Sequence, residues 1–209
     1  MSTTINDYIV SAINYAFDES IGYHMGGTFN PDTDCSGFVW QCLYDNGFNV
    51  GGSRFDTSNM GGILEAAGFT RYTYSSSFVP QHGDIFMWDE YDAQQQQHNG
   101  HTFFYAENVF GYLNGHLGWQ NCDSTTGTCQ YAKIEASDVH GHPEAGDQDN
   151  GNGAHTEVWS HTYSSLTYGS HIWNVYRYQG APVPASDDLV ILKAMTSKNF
   201  TLPVAVDEL

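Results

Sequence analysis

Residues 33–42, TDCSGFVWQC, place one cysteine between an aspartate and a small Ser-Gly pair, directly before an apolar run that predicts a helix. A helix N-terminus favours the thiolate form of cysteine through its free N–H groups and partial positive charge. Cys35 occupies that position. The small residues Ser36 and Gly37 leave room for a substrate and for backbone N–H groups that face a developing oxyanion. Cys35 is therefore a candidate nucleophile, although a cysteine at a helix start is often only an inert residue of the buried core.

Hydrophobic periodicity divides the chain into a helical first third and a strand-rich remainder. Apolar residues at helical spacing predict helices over residues 4–18, 35–46 and 58–67. The later aromatic and β-branched segments have the period of two that predicts strands. These segments are FTRYTY (69–74), DIFMW (84–88), HTFFYAE (101–107), AKIEAS (132–137), HTEVWSHTY (155–163) and IWNVYRY (172–178). Three helices followed by about six strands predict an α+β domain, with the helices packed on a central antiparallel sheet.

The 209 residues are enough for one domain with a sizeable core. We expect this domain to cover residues 1–180 and a linker-like tail to cover residues 181–209. Two linkers interrupt the strands: a Gln-rich one over residues 91–98 and an excursion over residues 108–130. Because the excursion is long for a structureless loop, it is expected either to be functional or to form its own hairpin.

A cysteine nucleophile needs a base, and the chain has ten histidines. His101 opens the most apolar predicted strand, so its ring would project from a rigid element, as suits a base. His98, in the polar linker, is the competitor. A third polar group would orient the ring, and the neighbouring strand offers Glu135. Acidic residues in strands usually lie on the exposed face, so a surface role for Glu135 stays open.

The charge of the chain is strongly negative, with 24 acidic and 6 basic residues and a formal net charge of -18. Affinity for nucleic acid depends on clustered Lys and Arg, so nucleic acid is not expected as a partner. A negative field attracts cationic ligands, although it also simply favours solubility. No apolar run reaches the ~20 residues of a membrane span, and the N-terminus has no secretory signal pattern. Synthesis in the cytoplasm is therefore expected, unless an export signal is missing.

The other three cysteines have more ordinary interpretations. Cys42 lies two helical turns after Cys35 on the same face, as expected of a core residue. Cys122 and Cys129 flank the polar segment CDSTTGTC and could form a disulfide in an oxidising exterior. No Cys-x-x-Cys pair is present, and the segment GDQDNGNG (146–153) lacks the spacing of a calcium loop. We therefore expect no metal site and no cofactor.

Five segments of the chain carry recognisable motifs: GYHMGGTFNPDTDCSGFV (22–39), GHTFFY (100–105), KIEAS (133–137), AGDQDNGNGAHTEV (145–158) and WNVYRYQG (173–180). Together they resemble NlpC-type cell-wall cysteine peptidases and, in the later segments, the catalytic domains of phage endolysins of that type. The resemblance extends from about residue 5 to residue 180, and four of the motifs occur in the order of the family.

The resemblance implies a papain-like α+β fold with Cys35 as the nucleophile, His101 as the general base and Glu135 as the residue that orients the ring. The residues it implies for the oxyanion and substrate-binding region are Tyr23, Ser36 and Asp34. This sequence departs from the family pattern in three respects. The third residue is Glu where His is commoner, the 108–130 excursion is unusually long, and the chain is strongly acidic.

The implied function is hydrolysis of bacterial peptidoglycan by cysteine acyl transfer, at the stem-peptide bond between D-glutamate and the following diamino acid. An N-acetylmuramoyl-L-alanine amidase is the alternative. A non-catalytic wall-binding module or a virion tail component is the alternative from another class. A lysin without a signal peptide would be made in the host cytoplasm, as a monomer, and would reach the wall once the membrane is opened.

Overall fold

The computed structural model describes most of the region between residues 5 and 180. The described residues are 5–16, 21–27, 32–107, 131–137, 155–161 and 166–180. Two of the sequence predictions lie outside them: the 108–130 excursion with its disulfide between Cys122 and Cys129, and the tail over residues 181–209. The division into a domain and a tail therefore stays a prediction.

Three helices form close to where the hydrophobic periodicity predicts them. They are α1 (Ile5–Ala16), α2 (Cys35–Asp45) and α3 (Thr57–Ala66). An aspartate caps α2 and another caps α3, because a short carboxylate accepts hydrogen bonds from the free N–H groups of a first helical turn. Within the described residues, no helix combines the length and apolar character needed to cross a membrane.

The strands of the described region form one sheet in the order β2-β1-β7-β6-β5-β4-β8-β3. Neighbouring strands are antiparallel except for the parallel pair β1 and β2. The strands are β1 (Gly22–Tyr23), β2 (Asp32–Thr33), β3 (Phe69–Thr73), β4 (Ile85–Asp92), β5 (Gln97–Ala106), β6 (Tyr131–Ser137), β7 (His155–His161) and β8 (Asn174–Tyr178). The prediction of an α+β domain is confirmed, with six longer strands as expected. The likeness to the papain-like fold stays a prediction.

The central strands of the sheet are covered on both faces, and this arrangement positions the site. One face packs with the helices in a core that includes Phe38, Phe104 and Ile134. The other face carries a second apolar cluster that includes Phe103 and Trp173. The prediction that Cys42 is a core residue is confirmed, since Cys42 is fully buried in the first cluster. Burial also raises the pKa of the Cys42 thiol well above its ordinary value.

The prediction of a Gln-rich linker over residues 91–98 is wrong, because most of that segment belongs to a hairpin. β4 continues to Asp92 and β5 already begins at Gln97. The Asp92 carboxylate accepts the N–H groups of Gln94 and Gln95 at 2.8 and 3.0 Å, and this local bonding closes the turn. His101 therefore lies inside β5 and not at its start.

A buried ion pair joins β8, the strand next to the β3 edge of the sheet, to the loop before β4. The Arg177 guanidinium of β8 donates to both oxygens of Asp84 at 2.8 and 2.7 Å. Only 1% of the Asp84 side chain is exposed. Burial raises the pKa of Asp84 above its ordinary value even though Arg177 opposes that shift. The Asp84 carboxylate therefore depends on the charge of Arg177 to remain ionised in the core.

We predict that Arg177→Met lowers the free energy of unfolding by about 3–5 kcal/mol at pH 7, because it leaves the Asp84 carboxylate buried without a counter-charge. Urea denaturation measures the change. Arg71→Met is the matched control: the Arg71 guanidinium donates to the side-chain oxygen of Asn174 from an exposed strand, so about 1 kcal/mol is expected. Equal losses for the two variants would contradict the prediction.

Candidate active site

The candidate nucleophile lies at the first residue of a helix. Cys35 begins α2, and Asp34 is the N-cap with extended backbone. The thiol is a free cysteine, and only 6% of the residue is exposed. The partial positive charge of the helix N-terminus favours a thiolate at this position.

The carboxylate of Asp34 holds this helix start in place. It accepts hydrogen bonds from the Gly37 N–H at 2.7 Å, the Ser36 hydroxyl at 2.9 Å and the Gly26 N–H at 2.9 Å. The Arg54 guanidinium donates to the same carboxylate at 2.5 Å. Asp34 and Ser36 are both buried and bonded to each other. Asp34 thus joins three chain segments around Cys35, and a contact of either residue with substrate stays a prediction.

The imidazole of His101 connects Cys35 with a carboxylate on the next strand. His101 Nε2 lies 2.5 Å from Glu135 Oε2, and the same ring interacts with the Cys35 side chain, which helps to raise the His101 pKa. A histidine has two ring nitrogens, so the contact with Glu135 leaves Nδ1 for the cysteine. The structure thus brings together the three residues that the sequence analysis selected: Cys35 from α2, His101 from β5 and Glu135 from β6.

Glu135 is fully buried, so the alternative of an exposed surface role is wrong. The sheet carries apolar side chains on both faces, so the alternation of β6 leaves no solvent-exposed side at this position. A second cation meets Glu135 here: Lys133 Nζ lies 2.8 Å from Glu135 Oε2, and only 5% of the Lys133 side chain is exposed. Lys133 also lies over the ring of Phe103, 4.7 Å from its centroid.

The mutual contacts shift the pKa values of His101 and Glu135 in opposite directions. Burial by itself lowers the pKa of His101, but the Glu135 charge and the hydrogen bonds to Cys35 and Glu135 outweigh it and raise that pKa to about 9. Burial by itself raises the pKa of Glu135, but the charges of Lys133 and His101 outweigh it and lower that pKa to about 2. At neutral pH the pair is therefore imidazolium and carboxylate.

These shifts link the stability of the fold to pH. The contribution of His101 is complete below its unfolded pKa of 6.5 and is lost as the pH rises through about 9. The contribution of Glu135 is complete above its unfolded pKa of 4.5 and is lost as the pH falls through about 2. Both groups stabilise the fold fully between pH 4.5 and 6.5.

A groove with a volume of about 530 Å³ opens beside Cys35. Its walls come from the N-termini of α2 and α3 and from the β4–β5 hairpin. The lining includes Thr57, Ser58, Trp88, Gln97, His98 and Asn99. Hydroxyl and amide groups of this kind bind polar backbone groups of a ligand.

His98, the competing base, lies on the groove wall and has a partner of its own. Its Nδ1 is 2.7 Å from Asp89 Oδ2, and the Thr57 hydroxyl donates to Asp89 Oδ1 at 3.1 Å. Gly100 allows this close approach of α3 to β5, because a Cβ there would lie 2.4 Å from Thr57 Oγ1. His101, and not His98, is therefore the histidine that contacts Cys35.

Sequence reasoning missed Lys133 and Arg54, the two cations that support the site. Lys133 precedes Glu135 by two residues on one strand, so strand alternation already placed both on one face. Arg54 contacts Asp34 across a loop, and no spacing in the sequence indicates that pairing. Tyr23, the predicted oxyanion residue, is buried in β1 and pairs in register with Thr33, next to the cap of α2. The described residues hold no cluster of metal-ligating side chains.

The fold and the site define an α+β protein with a thiol beside an imidazole that is hydrogen-bonded to a carboxylate, the arrangement that nucleophilic catalysis uses. Residues 12–114 match a family described as bacteriophage peptidoglycan hydrolase. The matched segment contains Cys35 and His101 and ends before Glu135. The match supports a hydrolase of phage type that acts on the peptidoglycan of the cell wall. No curated protein matches the sequence.

We predict that Glu135→Gln lowers the pKa of His101 from about 9 towards its ordinary value of 6.5, because the charge that stabilises the imidazolium is removed. NMR titration of the His101 ring measures the shift. Glu90→Gln is the control, since Glu90 pairs with a different ring, that of His171. The assignment of Glu135 as the partner of His101 fails if Glu135→Gln and Glu90→Gln leave the same His101 titration.

Proposed function

We propose that the protein hydrolyses an amide bond in the stem peptide of peptidoglycan by cysteine acyl transfer, on a papain-like fold. The observation that carries the proposal is the placement of Cys35 at a helix N-terminus, beside the His101 ring, whose Nε2 contacts Glu135. The groove beside Cys35 supplies room for a peptide, and the match to phage peptidoglycan hydrolases supports the substrate.

Acylation begins after the thiol proton of Cys35 has moved to His101. The thiolate attacks the carbonyl carbon of the scissile amide, so a C–S bond forms and the carbonyl oxygen becomes an oxyanion. The N–H of Cys35 at the start of α2 and the hydroxyl of Tyr23 stabilise that oxygen. Glu135 keeps the ring oriented and stabilises the imidazolium.

Deacylation returns the enzyme to its first state. The imidazolium of His101 gives its proton to the leaving nitrogen as the C–N bond breaks, and an amine departs. A water molecule then attacks the thioester, and His101 takes its proton. The C–S bond breaks, the peptide leaves as a carboxylic acid, and Cys35 and His101 share a proton as before.

The bond we propose joins D-glutamate to the following diamino acid, as the resemblance to NlpC-type peptidases implies. The acidic character of the chain and the groove residue Asp56 favour the cationic amine of such a substrate. Cleavage between muramic acid and L-alanine is the alternative specificity, and the products distinguish the two.

We predict that Cys35→Ala lowers the rate of wall digestion at least about a thousand-fold, because it removes the thiol that accepts the acyl group. Mass spectrometry of purified walls incubated with each protein measures the products. New termini at D-glutamate and at the amine of the diamino acid identify the proposed bond, whereas release of intact stem peptides identifies the amidase alternative.

Cys42→Ala is the matched control, because Cys42 lies on the same helix but is buried in the core. It is expected to retain wall digestion. Digestion by Cys35→Ala at the wild-type rate would refute cysteine catalysis. If the wild type cuts none of several wall chemotypes but sediments with them, a wall-binding module replaces the hydrolase.

We predict that Tyr23→Phe lowers kcat about a hundred-fold or more with little change in KM, the pattern expected for loss of a donor that acts on the oxyanion. Steady-state kinetics on a soluble muropeptide separate the two constants. A rise in KM at unchanged kcat would instead make Tyr23 a substrate-binding residue.

A further inference from the structure

We propose that Lys133 is a positioning residue that keeps Glu135 ionised and thereby holds the His101 ring, as a cation, against Cys35. The inference rests on the proposed roles of Cys35 and His101 but not on which wall bond is cut. Neither the family resemblance nor the matched segment, which ends at residue 114, assigns a role to Lys133.

The burial of Lys133 is the first argument. Lysine is almost never buried unless its ammonium is paired, because desolvation of a charge is costly. Lys133 is 4% exposed; its ammonium forms an ion pair with the Glu135 carboxylate and lies over the ring of Phe103. The chain has only six basic residues, so placing one of them here is a specific feature of this site.

The geometry at Glu135 is the second argument. Lys133 Nζ and His101 Nε2 both contact the same oxygen, Oε2, at 2.8 and 2.5 Å. The other oxygen, Oε1, is buried and has no hydrogen-bond partner within the described part of the chain. Two cations therefore stabilise the Glu135 carboxylate at one atom. If either cation is lost, the remaining cation alone must offset the desolvation penalty of the buried carboxylate.

The chemical consequence concerns where a proton resides. Without Lys133, the buried carboxyl binds a proton at higher pH. A neutral carboxyl no longer stabilises the imidazolium of His101, so the thiolate-imidazolium pair with Cys35 becomes less favourable. Lys133 thus acts on the thiol through Glu135 and His101, and not by touching a substrate.

Within the described part of the chain, the other groups around Glu135 and Lys133 do not supply a replacement charge. His101 and Cys35 are the reacting pair itself. Tyr105 of β5 lies opposite Lys133 in the sheet register, and Tyr168 presents its ring to the ammonium, with the centroid 5.7 Å from Nζ. The register also places the backbone of Glu157 of β7 opposite Glu135. Lys133 and His101 are the cations that pair with Glu135 among the described residues.

The test is the pH dependence of Cys35 alkylation by iodoacetamide, followed on the Cys35 peptide by mass spectrometry. This measurement needs no wall substrate, so it can fail independently of the proposed hydrolase activity. For Lys133→Met, a side chain of similar length without charge, the midpoint of alkylation is expected to rise by about one pH unit or more. Lys133→Arg keeps the charge and is expected to stay close to wild type.

A uniform change of the alkylation rate at all pH values, with the wild-type midpoint retained, would overturn the proposal. If Lys133 only packed in the core, its loss would change the rate of Cys35 alkylation but not the midpoint of its pH dependence. A shift in Lys133→Met that also appears in Lys133→Arg would overturn it as well, since the charge would then be irrelevant.

A second pair of variants keeps the test valid if Lys133→Met does not fold. Glu135→Gln and the double variant Lys133→Met with Glu135→Gln contain no buried carboxylate at position 135. If Lys133 acts through Glu135, both have the same alkylation midpoint. A further shift in the double variant means that Lys133 acts on Cys35 by another route, and the proposal fails.

Discussion

The position of the candidate nucleophile depends on the carboxylate of Asp34. Asp34 accepts hydrogen bonds from the first turn of α2, from the loop at Gly26 and from the guanidinium of Arg54. These contacts fix where the helix begins, so they also fix where Cys35 meets His101. A helix start held by one side chain from three directions is more rigid than one held by its own cap, and a thiol must be placed within hydrogen-bond reach of its base.

The same arrangement recurs at three places in the described structure. Arg54, Lys133 and Arg177 each pair with a carboxylate whose side chain is at most 6% exposed. In a chain with so few basic residues, these cations are committed to internal pairs. Among the described Lys and Arg residues only Arg71 is exposed, so the surface charge of that region comes mainly from acidic residues, which agrees with a groove suited to uncharged or cationic peptide groups.

Much of the fold could be predicted because hydrophobic period is a local property. The three helices and six longer strands lie close to the predicted segments. β1 and β2 have two residues each, too few for any alternation, and they could not be found in this way. The Gln-rich hairpin was missed because its polar residues extend a sheet without contributing to a core, so period and hydrophobicity gave no signal there.

The sequence by itself determined that Cys35 begins a helix, that His101 belongs to an apolar strand and that Glu135 is its candidate partner on another strand. Only the tertiary structure decided that Glu135 is buried, that Lys133 shares its oxygen and that Arg54 supports Asp34. The physical reason is that alternation along a strand shows which residues share a face but not whether that face is covered. Around Glu135 both faces of this sheet are covered, and the charges buried there are compensated by contacts between strands and loops.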